Sequence, residues 1–269
     1  MENIILKLNK TRAKFKDSGF HLEINTNINE GETILLIGPN GSGKSTFLKT
    51  ISGHISLTQG EIILKNKNIE SLSIADLSKL ISYMPQAPYI PDYFDVFEFV
   101  LSGCYSPGKK SADTIDENFE ITHKMLNSLK MKHKWSSKIG TLSGGEKQLV
   151  LLAHSLVQNS SIQLFDEPSS SLDPYNQSEI IKFILKKNNK KQIKIISSHD
   201  LNLSWKFNRV IMLKNGSIFK DGNPEFIMTT KHLSDLFEKN IEVVKLKNNK
   251  NIVLYNWLTM NTNYTNVVK

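Results

Sequence analysis

The run Gly38-Pro39-Asn40-Gly41-Ser42-Gly43-Lys44-Ser45-Thr46 sets glycines, a lysine and hydroxyls in a Gly-x4-Gly-Lys-Ser spacing. Phosphate chemistry calls for this set. With no side chains intervening, backbone N–H groups can close around phosphate oxygens, and the start of a following helix adds a favourable dipole. Gly38 to Thr46 are therefore the candidate nucleotide-binding residues. Lys44 would hold the β- and γ-phosphates, and the Ser45 hydroxyl would ligate a Mg2+ that bridges phosphate oxygens. A Gly-rich turn with a chance lysine is the other reading, and it requires both flanking elements to be coincidental. A second pair, Asp166-Glu167, ends the mostly apolar run Ile162-Gln163-Leu164-Phe165, where Pro168 forbids further ladder bonding. At the C-terminal edge of a parallel sheet, Asp166 can reach the Mg2+ shell and Glu167 can orient and polarise an attacking water. Alone the pair would read as a solvated acidic turn; beside the phosphate loop it becomes the metal and water side of a nucleotide site. Gln163 has no part in this scheme.

These residues need elements to position them. Thr33 to Ile37 is short, apolar and β-rich and enters the loop as a buried strand. Phe47, Leu48 and Ile51 fall at helical spacing after it, and Gly53 is placed to end that helix. Ile162 to Phe165 and Ile193 to Ser197 read as further buried strands, and strands alternating with helices imply a parallel sheet. From Pro88 to about Leu156 the pattern is helical instead, at Val96 to Ser102, Asn118 to Lys130 and Gly144 to Val157. Val210 to Leu213 and Ser217 to Phe219 flank Asn215-Gly216, a tight-turn dipeptide, and Ile241 to Leu254 alternates as another hairpin.

The chain has 269 residues, 39% of them hydrophobic, enough to bury a substantial core. Its longest apolar stretches, near Thr33 to Ile37 and Leu149 to Val157, fall short of the roughly 18–20 residues of a membrane span. Met1 to Lys16 is studded with Lys, Arg and Asn and lacks the apolar segment of a secretory signal, so a cytosolic location is expected. The single cysteine, Cys104, reads as a packing residue. The net charge of +8 is concentrated at Lys186 to Lys194 and Lys245 to Lys250, which read as solvated helix ends or loops; no nucleic-acid partner is expected.

Leu142-Ser143-Gly144-Gly145-Glu146-Lys147-Gln148 resembles the signature sequence of the ATP-binding cassette (ABC) family. The same residues have capping-box spacing and could simply start the helix that buries Leu149, Leu152, Leu156 and Val157; both readings hold together. The resemblance runs from Phe15 to about Phe237 with the motifs in the family's order. It implies an α/β fold: a P-loop NTPase core with a mostly parallel sheet, an antiparallel β subdomain and an inserted helical subdomain. Residues 1–240 would form the ATPase domain, with residues 1–87 and 158–240 as the catalytic core lobe, 88–157 as the helical lobe, and 241–269 as a C-terminal extension.

The resemblance also implies roles. Gln86 is similar to a glutamine that senses Mg2+ and the attacking water, and His199 to a histidine that contacts the γ-phosphate. Asp173 is similar to a dimer-interface residue, while also fitting a helix cap before Pro174. Phe15 resembles an aromatic that stacks on adenine, with Phe20 as competitor. Ser143, Gly144, Gly145 and Glu146 would meet ATP held by the opposite subunit of an ATPase dimer. ATP and Mg2+ are the implied cofactors. The implied partners are membrane-embedded permease subunits, received at Ala87 to Pro107, and indirectly an extracytoplasmic substrate-binding protein, which puts the chain at the cytoplasmic face of the inner membrane. The stretches Gly144 to Asp173 and Phe97 to Gly103 are most similar to importers of iron-siderophore complexes, haem or cobalamin, although His154 stands where that subgroup commonly has Arg. Zinc or manganese importers and a soluble ATPase of iron-sulfur cluster assembly are the alternatives.

Overall fold

The computed structural model describes residues 4–14, 19–105, 115–186, 191–246 and 251–255. The chain opens with β1 (Ile4–Lys14), β2 (His21–Asn29), β3 (Thr33–Ile37), α1 (Lys44–Ile51), β4 (Leu57–Leu64), β5 (Lys67–Asn68), α2 (Ile74–Leu80) and β6 (Ile81–Met84). Next come α3 (Val96–Ser102), α4 (Ile115–Ser128) and α5 (Gly144–Val157), with no strand between them among the described residues. The chain returns through β7 (Ile162–Asp166), α6 (Pro174–Lys186), β8 (Ile193–Ser197), β9 (Arg209–Lys214), β10 (Ser217–Gly222), α7 (Pro224–Ile227) and α8 (Thr230–Phe237), then the hairpin of β11 (Ile241–Lys245) and β12 (Asn251–Tyr255). The basic, Asn-rich opening of the chain is thus largely strand: its apolar Leu6, Leu8 and Ala13 point inward while the charged residues take the other face.

One sheet carries the order β5-β4-β1-β2-β10-β9-β3-β8-β7-β6. From β9 to β6 it is parallel, from β5 to β2 antiparallel, and β10 joins the halves with Ser217 opposite Glu23 of β2. Sequence alternation explains both halves. In β2, Leu22, Ile24 and Ile28 alternate with exposed or partly exposed residues, giving one buried face. The parallel strands are buried on both sides. Ile34, Leu36, Leu164 and Ile195 join the apolar cluster under β1, β2 and α1, whereas Leu35, Ile37, Phe165 and Ile196 join a cluster continuous with Val100, Val150 and Leu156 of the helical segment. The strand period of two therefore splits one run of apolar residues between two cores.

The polar Gln163 is 2% exposed and lies in register between Ser82 of β6 and Lys194 of β8. These form a polar row across three strands, in which Lys194 donates from Nζ to the Ile184 carbonyl (2.6 Å) and burial pushes its pKa down to about 8. Helix α4 starts three residues before the expected Asn118 and ends two before Lys130, because Lys130 adopts φ +59° and breaks the helix without a glycine. The β9–β10 connection is a tight turn with Asn215 at φ +49° and Gly216 at φ +78°. The terminal hairpin docks on the turn Leu201–Lys206: the Asn202 side chain accepts from the Val253 amide (2.7 Å) and donates to its carbonyl (3.3 Å).

Candidate functional site

The loop from Gly38 to Gly43 carries the chain from β3 into α1 and forms one wall of a cavity of about 590 Å3. Gly43, at φ +105°, is the residue before the first turn of α1 and offers no side-chain cap, so the first amides of the helix face the cavity. A Cβ on Gly43 would also stand 2.8 Å from the Phe20 ring. Asn40 to Thr46 line the cavity, with Lys49 beside them, while Gly38 and Pro39 sit behind it. Lys44 Nζ reaches back to the carbonyls of Gly38 (2.9 Å) and Pro39 (3.2 Å). Burial lowers its pKa, an effect that Glu167 and Asp166 oppose. The Ser42 hydroxyl is buried without a hydrogen-bond partner among the described residues, and a Gly216 N–H to Ser42 carbonyl bond (3.0 Å) ties the loop to the β9–β10 turn.

The opposite wall is made where β6, β7 and β8 end. Asp166 does not itself line the cavity: it is 2% exposed and accepts from Ser197 Oγ at 2.7 Å, with the Tyr83 hydroxyl at 3.5 Å from its other oxygen. Burial first, and then Asp166, raises the Tyr83 pKa, so that hydroxyl keeps its proton. Glu167 follows with φ +52°, uncommon for a side-chain-bearing residue. Its amide donates to Ser197 Oγ (2.9 Å). One carboxylate oxygen accepts from Gln86 Nε2 at 2.7 Å, and the other lies 2.6 Å from His199 Nε2. The ends of three strands thus bring Gln86, Glu167 and His199 together beside the phosphate loop.

The remaining candidates lie elsewhere. Ser143 caps α5, accepting from the Glu146 amide (3.3 Å) while Glu146 accepts from the Ser143 amide (2.9 Å), a reciprocal pair that lowers the Glu146 pKa. Ser143 and Gly144 are exposed, and neither they nor Gly145 and Glu146 line the cavity. Asp173 is exposed and accepts from the amides of Asn176 and Tyr175, both 3.1 Å, which lowers its pKa and caps α6 with Pro174 in the first helical position. Phe15 lies outside the described residues; Phe20 lines the cavity. Sequence reasoning missed Tyr83, Ser197 and Gln148 as parts of the site. Ser197 carried a readable signal, a lone hydroxyl ending an apolar strand next to the acids; Gln148 ends the signature-like run but without a role of its own in it, and Tyr83 carried no signal.

The donor set fits a nucleoside triphosphate with a divalent cation. Loop amides, the Lys44 ammonium and the unpartnered Ser42 hydroxyl would meet phosphate, and the Ser45 hydroxyl with the buried Asp166 carboxylate supplies the oxygen ligands that a hard cation requires. With a carboxylate aligned at the cavity edge, this arrangement can direct water at a bound phosphate.

A family profile described as ABC transporter matches residues 22–170. The chain is 36% identical to an uncharacterized ABC transporter ATP-binding protein of Methanocaldococcus jannaschii, over 84% of this chain and 89% of that one. It is 35% identical to the iron(3+)-hydroxamate import ATP-binding protein of Bacillus subtilis, over 82% and 83% of the two chains. Among solved structures, an ATP-binding cassette in a dimeric post-hydrolysis state with ADP and Pi bound superimposes with a TM-score of 0.71 at 25% identity, covering 81% of this chain and 98% of that one.

Proposed function

The chain belongs to the ABC transporter family as an ATP-binding, ATP-hydrolysing subunit, and on that premise we propose that it powers import of an iron(III) chelate through separate membrane-embedded permease subunits. The observation that carries the catalytic half is the Gln86–Glu167–His199 cluster beside the phosphate loop. Lys44 and the loop amides hold the β- and γ-phosphates, and His199 contacts the γ-phosphate. Glu167 orients the attacking water and takes up its proton. Ser45 and Asp166, with Gln86 at the margin, would hold Mg2+, which would supply positive charge against the charge that develops on the phosphate. Ser143 and Gly144 are exposed, which suits a role for them, with Gly145 beside them, in a partner subunit's site, with Asp173 at the interface. ATP then contacts both subunits, favours the closed pair, and its hydrolysis reopens it.

The iron-chelate assignment rests on the similarity to the hydroxamate-import protein and on the resemblance of Gly144 to Asp173 to that importer subgroup. Among the described residues no helix is long and apolar enough to cross a membrane, so the path for the cargo belongs to other subunits. The chain then works as a peripheral protein at the cytoplasmic face. The test is uptake by cells carrying Glu167→Gln in place of the wild-type chain, supplied in turn with iron-55 hydroxamate, haem, cobalamin and zinc, together with identification of the proteins bound to the chain in solubilised membranes. Loss of hydroxamate uptake with a polytopic partner supports the proposal. Loss of one of the other cargoes alone reassigns the substrate, and soluble scaffold partners with intact uptake of all four would move the function to iron-sulfur assembly.

A further inference from the structure

Gln148 lies one turn into α5, beyond the Ser143 cap, and is 4% exposed. Its side-chain amide uses both ends on the loop that follows β7. Nε2 donates to the Glu167 carbonyl at 2.8 Å and approaches Ser170 Oγ at 3.3 Å, and Oε1 accepts from the Ser171 amide at 2.8 Å. The peptide groups flanking Glu167 are therefore held from two elements: its N–H by Ser197 of β8 and its carbonyl by Gln148 of α5. This matters because Glu167 sits at φ +52°, a conformation that persists only when the surroundings over-determine it. The helix and the loop interlock at a second point as well, since a Cβ on Gly145 would stand 3.0 Å from Leu172 Cδ2. Gln148 and Ser171 also border a groove of about 320 Å3 whose other wall is Gln86 to Ile90.

We infer that Gln148 is a positioning residue that sets the orientation of Glu167 from the first turns of α5, so that a displacement of that helix relative to β7 misaligns the water-orienting carboxylate. The inference rests on the role proposed for Glu167. Gln148 does not line the cavity and acts through the Glu167 carbonyl and the Ser170–Ser171 segment that follows it.

The test is steady-state ATP hydrolysis by the full-length chain across ATP concentrations, with thermal melts, for wild type, Glu167→Gln, Gln148→Met and Gln148→Glu. Met keeps the shape and removes all three contacts; Glu keeps an acceptor for Ser171 and loses the donor to Glu167. Both Gln148 variants are expected to lower kcat by about 10- to 100-fold, as a misplacement on the order of 1 Å does, with KM for ATP little changed because the phosphate loop is untouched. Should Gln148→Met melt below the assay temperature, Gln148→Glu carries the test, since it retains the Ser171 bond. Wild-type kcat per folded molecule in the Gln148 variants, alongside an inactive Glu167→Gln, would overturn the inference, as would activity that falls only in step with the folded fraction. Wild-type hydrolysis by Glu167→Gln would instead remove the reading on which it rests.

Discussion

Two charged clusters sit at opposite ends of the parallel strands and differ in what their hydrogen bonds leave over. At the N-terminal end, Arg209 opens β9 with its guanidinium fully engaged. Nε and Nη2 fork onto Asp221 (both 2.7 Å), Nη1 reaches Glu32 and the Asn27 carbonyl (both 2.7 Å), and Nη2 also meets Thr26 (2.8 Å). Burial alone would lower the Arg209 pKa, but the two carboxylates outweigh it and raise it. At the C-terminal end, Glu167 takes one neutral donor, Gln86, and one titratable partner, His199, which is half exposed. The first cluster ties β2 and β10 to the parallel core. The second holds a carboxylate at the edge of a cavity with a side-chain donor on each oxygen, which suits the water-orienting role proposed for it.

The widest separation between the two should come from exchanging their failures. Glu167→Gln is expected to lower kcat by about 100-fold or more, the range for losing a general base, while leaving ATP binding and the melting temperature near wild type. A variant that hydrolyses ATP normally would remove Glu167 from the role proposed for it. Arg209→Met should do the reverse. It leaves Glu32 and Asp221 partly buried without their counter-charge, at a cost of about 3 kcal/mol, read by denaturant unfolding, while activity per folded molecule stays unchanged. Lost activity in a fully folded Arg209→Met would show that the cluster does more than hold the lobes together.

The two clusters also differ in how far they could be read from sequence. Phosphate chemistry fixes residue types within a loop and at strand ends, so Lys44, Ser45, Asp166 and Glu167 were legible from local spacing. The resemblance added Gln86 and His199, which the structure places against Glu167. Arg209 gave no such signal, because Glu32 is 177 residues away and nothing local demands an arginine there. The same reason hides Gln148, whose partners lie about twenty residues on in another element. The parallel strands were readable as continuous apolar runs. The bounds of α4 were not, since Lys130 ends that helix in a left-handed conformation that no residue type announces. β1 was obscured because its solvent face carries Lys, Asn and Arg, and only alternate positions are apolar.

Ser143 combines both behaviours, since it caps a helix and is also proposed to meet a partner's nucleotide. Ser143→Ala should cost about 1 kcal/mol through the lost cap, or a fall of about 2–4 °C in melting temperature. Ser143→Asn restores a capping acceptor and should recover that stability without recovering ATP-driven dimerisation of the Glu167→Gln background, measured by size-exclusion chromatography. Full recovery of both by Asn would reduce Ser143 to its capping role.

The smallest expected effect belongs to a titratable group that lies in neither cluster. His154, at the departure from the importer pattern, stacks on Phe99 with ring centroids 4.7 Å apart and planes 25° apart, and burial pushes its pKa below the ordinary 6.5. The unfolded chain, with His154 at its ordinary value, then binds more protons than the folded chain around and just below pH 6.5. Stability contributed by the neutral ring is therefore complete above that pH and is lost as pH falls through the lowered folded value. His154→Leu removes the contribution, so its melting temperature should fall less than that of wild type between pH 7 and pH 5. The chain's other histidines are the same in both proteins and cancel in the comparison. Equal falls would mean that the ring accepts its proton without leaving Phe99, and that an apolar wall in the helical segment tolerates the charge that Arg209, at the other end of the sheet, keeps only by saturating every donor it has.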